Sequence, residues 1–262
     1  MPLSIVRIAE LAKRLETAAL ERREEQKLSE MEPGLTLEDA YDVQWALRER
    51  RLAAGARLSG LKMGLTSRAK MKQMGVESPI YGFLLDEFCV PSDSDLAINQ
   101  LIHPRVEPEI AFVTRRDLQG PGCTIATALA AVDFVLPAME IIDSRYAAFK
   151  FDLPSVVADN ASSARYVVGG NARSIDDLDL RTLGVVLEKD GEGAAFGAGA
   201  SVLGHPGWSL AMLANLLALR EQMIPAGTYV MTGGITEAVA AAAGDHFKAR
   251  LQGLGSVSIR FT

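Results

Sequence analysis

Glu107 and Glu109 stand two residues apart in the stretch His103-Pro-Arg-Val-Glu-Pro-Glu109. Side chains alternate between faces in an extended segment, so both carboxylates point at one spot and repel each other. The apolar flanks, Leu101-Ile102 before and Ile110-Ala-Phe-Val113 after, raise that cost unless a cation or protons compensate. A third acid, Glu140, follows the apolar run Phe134-Val-Leu-Pro-Ala-Met139, which reads as a second buried strand. Three carboxylate oxygens completed by water make a hard, octahedral site suited to Mg2+ or Mn2+. The bland rival is a solvated strand face, because a bare Glu-x-Glu is a weak pattern. Pro104 and Pro108 favour the functional reading. Neither can donate a ladder hydrogen bond, so the segment is expected on an edge strand or at a bulge, where side chains are often re-aimed.

Further polar residues sit among apolar or glycine-rich neighbours. Lys62, in Leu58-Ser-Gly-Leu-Lys-Met-Gly-Leu-Thr-Ser67, either packs its stem and keeps its ammonium in water or delivers a charge to an interior site. The polar stretch Asp159-Asn-Ala-Ser-Ser163 is a turn or a hydrogen-bonding loop for a carboxylate. Thr232-Gly-Gly-Ile-Thr236 could present backbone N–H groups and hydroxyls as an anion-binding nest. No glycine cluster has the spacing of a nucleotide-binding loop, and no paired-histidine motif occurs. Structural roles are expected for His205 and His246, and His103 is a candidate for supporting a ligand or facing a substrate. For Asp143 and Arg145 the choice is a local ion pair or substrate anchoring.

The elements that must position these residues follow from hydrophobic spacing. Apolar residues recur at helical intervals over 5–27, where the charged tail 21–27 reads as a solvated helix face. Thr36-Leu-Glu-Asp39 has the form of a capping box that opens a second helix. A short helix is expected over 67–74. Strands are expected near 82–85, 109–114, 131–142, 163–169, 184–189, 228–232 and 256–261, interrupted by one strongly apolar helix beginning at Pro206. This pattern gives an α+β fold: a helical amino-terminal section over 1–75, packed on a sheet-rich catalytic domain over 76–262 that binds the metal.

Composition closes several other readings. With 262 residues, 48% of them hydrophobic, the chain can bury a full core. Its net charge of -6, with basic residues scattered, argues against a nucleic-acid footprint or docking on an anionic membrane. Two cysteines, Cys89 and Cys123, are too few for a disulfide scaffold and are expected to be reduced. No apolar run has the length of a membrane span, and residues 1–10 lack an export-leader pattern, so a cytoplasmic location is expected.

In their order and spacing, Lys62-Met-Gly-Leu-Thr-Ser67, Glu107-Pro-Glu109, Glu140-Ile-Ile-Asp-Ser144, Ala158-Asp-Asn-Ala-Ser-Ser163, Val202-Leu-Gly-His-Pro206 and Thr232-Gly-Gly-Ile-Thr236 resemble a known family. It is the hydratase/decarboxylase family of meta-cleavage pathways, within the fumarylacetoacetate hydrolase superfamily, and the resemblance covers nearly the whole chain. The stretch from Gly60 to Phe83 is similar to the decarboxylase branch; the hydratases more typically carry Lys-Ile-Gly-Leu-Thr-Ser. The resemblance implies a mixed β-roll or sandwich core and a Mg2+ or Mn2+ ion held by Glu107, Glu109 and Glu140. It implies a small 2-oxo dicarboxylic acid substrate, 2-oxo-3-hexenedioate, converted to 2-hydroxypenta-2,4-dienoate and CO2 during degradation of aromatic compounds. It implies a homo-oligomer, and a complex with the vinylpyruvate hydratase that takes the unstable product.

Within that reading Lys62 supplies a second positive charge or a proton, and Asn160, Ser162, Ser163 and Thr232 contact substrate. Electrons left by departing CO2 travel through the alkene to the 2-oxo oxygen, which a cation stabilises. The departing carboxylate is expected in a less polar region, which favours neutral CO2 over the anion. The rivals are a hydratase of the same family, which adds water, and an idle subunit that stabilises the hydratase. Retention of Lys62 and all three acids speaks against the last.

Overall fold

The computed structural model describes every residue except Met1, Ala69, Lys70, Gln73 and Met74. The amino-terminal section is helical: α1 (Ile5–Glu21), α2 (Leu28–Met31) and α3 (Leu37–Ala53). The Ser4 side chain accepts from Arg7 N–H at the start of α1, and Thr36 and Asp39 close the capping box of α3. Leu11, Ala12 and Leu15 of α1 and Ala40, Val43 and Leu47 of α3 are buried, together with the polar Glu16, Asp39 and Gln44.

The charged tail is not the solvated helical face its composition suggests. Arg22 turns left-handed and ends α1, and beyond it Glu25 is buried, paired with Arg14 and Arg23. Glu25 also exchanges backbone hydrogen bonds with the 145–147 segment, at 2.7 Å to Arg145 O and 3.0 Å from Ala147 N–H. Tertiary pairing overrides the local helical pattern there. The short helix expected over 67–74 falls in part outside the described residues.

Thirteen strands are found among the described residues: β1 (Leu58–Gly64), β2 (Ile80–Leu85), β3 (Cys89–Pro91), β4 (Ser94–Leu96), β5 (Arg105–Thr114), β6 (Val132–Ile142), β7 (Ser163–Val168), β8 (Gly184–Lys189), β9 (Glu192–Ala198), β10 (Tyr229–Met231), β11 (Val239–Ala240), β12 (His246–Leu251) and β13 (Gly255–Phe261). Eight of them form one sheet in the order β2-β1-β10-β5-β6-β7-β3, with β11 also paired to β5; the other five run β4-β13-β12-β8-β9. Parallel steps at β1–β10, β3–β7 and β4–β13, among antiparallel neighbours, make both sheets mixed. The fold is thus α+β with a mixed β-roll or sandwich core. Although β1 falls within the first 75 residues, it is an inner strand of the large sheet.

Three further α-helices stand among the described residues: α4 (Ile125–Ala130), α5 (Leu153–Ala158) and α6 (Pro206–Ala218). The apolar α6 buries Leu210, Leu213, Ala214 and Leu217, and His205 serves as its cap, Nδ1 accepting from Gly207 N–H at 2.9 Å. No helix among the described residues is long and apolar enough to cross a membrane.

Strand β5 is not at an edge, contrary to what its prolines suggest. It pairs with β6 along its length and with β10 and β11 on its other side. Pro108 is tolerated because its nitrogen and its carbonyl face the same side of the strand, into the interval between β10 and β11. That carbonyl accepts from Ile235 N–H at 3.0 Å, so no ladder bond is lost. The period of two then sorts β5 into two faces. Val106, Ile110 and Phe112 enter the main core, while Ala111 and Val113 join a smaller cluster with Leu136, Ala138, Tyr166 and Met231 on the opposite face. Glu107 and Glu109 lie on that second face.

Candidate active site

Glu107 on β5 is the direct cross-strand partner of Glu140 on β6, and Glu109 is one pleat further along the same face. One carboxylate oxygen from each of the three lies within 4.8 Å of the others. Glu109 and Glu140 are wholly buried, and Glu107 nearly so. Lys62 joins them from β1, two strands away through β10, where register places it beside Met231. Its Nζ is 3.0 Å from Glu140 Oε2 and donates to Ala161 O at 3.1 Å. Only 3% of Lys62 is exposed, which rules out the water-facing reading of this lysine.

Burial sets the electrostatics. In the metal-free site it holds Glu109 well above the usual carboxylate range, reinforced by the charge of Glu140 and then of Glu107, against the pull of Lys62. Burial also raises Glu140; Lys62 opposes the rise and Glu107 adds to it. Burial alone would lower Lys62, but Glu140, Glu109 and Glu107 outweigh it and keep the ammonium above its ordinary value. Lys62 alone does not offset the burial of Glu109 and Glu140. Glu109 Oε1 and Glu140 Oε1 have no hydrogen-bond partner, although each is buried. Converging oxygen donors with unsatisfied lone pairs fit a hard divalent cation, which would repay the desolvation of the acids.

Two loops build the rest. The Thr232-Gly-Gly-Ile-Thr236 segment does present a backbone donor to an anion, but that anion belongs to the protein: Gly233 N–H donates to Glu109 Oε2 at 2.7 Å. Gly233 has φ +105°, and a Cβ there would collide with Thr66 Oγ1. At Gly234 a Cβ would lie 2.7 Å from Glu107 Cδ. The second loop runs through Asn160, Ala161 and Ser162, with φ values of 51°, 50° and 60°. Three successive left-handed non-glycine residues are costly, and such strain persists only where surrounding contacts impose it. Here both ends of the Asn160 amide bond Phe83, Nδ2 donating to its carbonyl at 3.0 Å and Oδ1 accepting from its N–H at 2.8 Å. The turn thereby aims the Ala161 carbonyl at Lys62.

Lys62, Thr66, Glu107, Ala161, Ser162 and Gly234 line one side of a cavity of about 380 Å³ whose remaining wall includes Ile80, Ile142, Phe149, Phe151 and Val156. Ser162 Oγ is buried without a hydrogen-bond partner. Ser163 opens β7 and borders a different cavity, beneath the amino-terminal helices. Thr232 turns its hydroxyl to Ile110 O at 2.9 Å, and its carbonyl accepts from Ser209 Oγ at 2.7 Å. The structure therefore gathers the three glutamates into one cluster with Lys62 against Glu140, opens that cluster to the cavity through Lys62 and Glu107 beside Ser162, and sets the Asn160 and Thr232 side chains behind it as braces.

The remaining candidates are structural. His103 donates from Nε2 to Ser144 O at 2.6 Å, and its Nδ1 lies 3.2 Å from Glu24. Asp143 accepts from the Ile102 and His103 N–H groups. Arg145 pairs with Asp159, not with Asp143, its neighbour in sequence. Burial pushes the Asp159 carboxyl up to about 6 despite that arginine. Neither the space-limited Gly234 nor the Ala161 carbonyl carries an individual signal in the sequence. A doubled glycine in Thr232-Gly-Gly-Ile-Thr236 is the one local sign of close backbone approach.

Mixed sheets carrying three clustered carboxylates beside a buried lysine define an enzyme-like site. The chain belongs to the fumarylacetoacetate (FAA) hydrolase family, whose C-terminal model matches residues 63–262. Among its relatives it is 59% identical over 251 residues to a 4-oxalocrotonate decarboxylase of Pseudomonas sp. (strain CF600), covering 96% of this chain and 95% of the other. It is 42% identical to a 2-hydroxypent-2,4-dienoate hydratase of Pseudomonas putida, covering 80% and 95%. A solved 4-oxalocrotonate decarboxylase from Pseudomonas putida G7, complexed with magnesium and adipate, superposes with a TM-score of 0.98 at 56% identity over 99% of both chains.

Proposed function

We propose that this chain is a divalent-metal-dependent carboxy-lyase that converts 2-oxo-3-hexenedioate (4-oxalocrotonate) to 2-hydroxypenta-2,4-dienoate and CO2 in the breakdown of aromatic compounds. The observation that carries the reading is the convergence of Glu107, Glu109 and Glu140 in one cluster with Lys62, at the wall of a cavity that Lys62 and Glu107 border, with two buried carboxylate oxygens left unsatisfied. The similarity to decarboxylases over nearly the whole chain selects this chemistry from those the family supports.

In this reading the three glutamates hold Mg2+, or Mn2+ in its place. An ion held there would supply positive charge to the 2-oxo acid end of the substrate. Glu140 and the Ala161 carbonyl engage two of the three ammonium N–H bonds of Lys62, leaving one for the cavity. That charge favours the electrons that collect on the 2-oxo oxygen as the carbon–carbon bond opens, and its proton is at hand for the product. Ser162 Oγ orients the substrate carboxylate. Asn160 and Thr232 act through the backbone they brace, and Ser163 lies against the Glu140 carboxylate and favours its ionised form. Ile80, Ile142, Phe151 and Val156 enclose the carbon chain and keep water from it.

The same proposal places the protein in the cytoplasm as a homo-oligomer, in complex with a vinylpyruvate hydratase that takes the unstable dienol. A groove in which the largely exposed Ile5 and Leu219 stand beside Asp42, Arg220 and Glu221 supports association through this face. The direct test incubates the purified chain and Mg2+ with 2-oxo-3-hexenedioate, and separately with 2-hydroxypenta-2,4-dienoate. Release of CO2 from the first, abolished by a chelator, is expected. Hydration of the second without CO2 release from the first would make the protein a hydratase, and inactivity on both would leave a stabilising subunit.

A further inference from the structure

We propose that Arg105 is a specificity-determining residue that holds the far carboxylate of the dicarboxylic substrate; this rests on the decarboxylase reading above and deepens it. Arg105 opens β5 two residues before Glu107, so the two side chains share a face of the sheet, and both border the same cavity. A rise of about 3.3 Å per residue sets Arg105 roughly 7 Å along the strand from Glu107, the span of a six-carbon chain. A ligand held at the glutamates by one end therefore brings its other end to Arg105.

The surroundings of Arg105 leave that charge available. Among the described residues its guanidinium has no carboxylate partner. Its Cζ lies 4.5 Å over the ring centroid of Phe149, and its cross-strand neighbour is Ile142. The Phe149 ring is in turn packed at 6.0 Å against Phe151. Arg105 is thus an exposed cation at the rim of the cavity, resting on an aromatic face, and the same cavity is bordered by Lys62 and Glu107. Phe149 and the preceding Ala148 are both left-handed, with φ of 58° and 54°, so the backbone that presents the ring is held in an unfavourable conformation.

The chemistry makes the role specific. An arginine that binds the far carboxylate stabilises the substrate as it arrives, and that attraction vanishes once the group becomes neutral CO2. Such binding favours the ground state and lowers KM without lowering the barrier from the bound complex. Arg105 therefore selects dicarboxylates over monocarboxylates at the door, while the apolar wall around it favours the loss of charge.

The test uses the Mg2+-loaded full chain and the variants R105Q and R105K. Each is titrated calorimetrically with adipate, which offers two carboxylates a chain apart, and with oxalate, which reports on the metal pole alone. For R105Q the adipate Kd should rise at least about tenfold while that of oxalate stays within about twofold, with R105K recovering part of the loss. In turnover of 2-oxo-3-hexenedioate KM should rise about tenfold while kcat stays level or rises, by up to about tenfold, because the bound substrate is no longer held by a contact that the departing CO2 cannot keep. Unchanged adipate binding in R105Q, equal weakening of both ligands, or a defect wholly in kcat would each overturn the assignment. If the wild-type chain releases no CO2, the decarboxylase reading fails, yet the adipate and oxalate titrations still decide on Arg105.

Discussion

Glu107 and Glu140 face each other as direct partners across β5 and β6, a pairing that places like charges opposite one another in the interior of a sheet. Like charges in that relation destabilise a sheet, and burial multiplies the cost. Glu109 closes the triangle with an oxygen that has no partner. The metal-free fold therefore carries a penalty that the cation removes.

Glu109→Gln should relieve part of that penalty, since the neutral amide can still accept from Gly233 N–H. The melting temperature in chelator should rise, by about 1–3 kcal/mol of stability. Mg2+ should no longer add to it, and turnover should fall by at least about a hundredfold. Calorimetric melts with and without Mg2+, together with a CO2-release assay, check all three. A metal-free variant that melts lower than wild type would mean that the carboxylates are not in conflict.

The pH dependence follows from the raised Glu109 and Glu140. An acid whose folded pKa lies above its unfolded value contributes stability that is present below the unfolded value and lost as pH rises through the folded one. The metal-free protein should therefore lose stability as pH climbs from about 4.5. With saturating Mg2+ the acids are ionised throughout, and the loss should be offset. The gap between the two melting temperatures should widen as pH rises, and Mg2+ binding should release protons, most clearly at the acid end. Melts across a pH series and titrations in buffers of different ionisation enthalpy measure both effects.

Much of this site is legible in the sequence because strand periodicity is rigid. Two glutamates two residues apart in an apolar run must share a face, and Glu140 at the end of a second run is positioned by the same rule. Lys62 was ambiguous because one lysine among apolar neighbours reads the same whether its ammonium reaches water or a buried acid; only β1 lying inside the large sheet decides it. The prolines misled about the edge because the gap between β10 and β11 depends on residues more than a hundred positions away. Glu25 and Asp159 likewise find partners that local pattern does not name. Strand β9 is rich in glycine and alanine and has weak strand propensity, so its pairing with β8 supplies what its composition lacks.

Lys62→Met separates charge from structure. Removing the ammonium leaves the three acids more negative, so Mg2+ should bind at least as tightly as in wild type. Turnover should nevertheless fall by about 10²–10⁴-fold, the range for losing a positioned proton or charge donor. Without metal the variant should be less stable by about 3–5 kcal/mol, because Glu140 loses the partner now 3.0 Å away. Metal titration beside steady-state kinetics checks the split. A parallel loss of metal affinity and activity would instead assign Lys62 to holding the site together.

Gly234→Ala tests whether the space around Glu107 is part of the design. The backbone φ at Gly234 is not in the left-handed region, so an alanine there meets a steric obstacle and no conformational one. The new methyl would sit 2.7 Å from Glu107 Cδ, too close for any real Cβ contact, and the carboxylate must yield because β5 is fixed by ladders on both sides. Glu107 then turns away from Glu140 and Glu109, and the three oxygens no longer converge. Mg2+ affinity should weaken about 10–100-fold, the usual cost of disturbing the support of a ligand, while the metal-free protein keeps a melting temperature near that of wild type. Excess Mg2+ should restore a large part of the activity, because the lesion is one of ligand position. Activity that stays low at saturating metal would show that Gly234, which borders the cavity, also makes room for substrate.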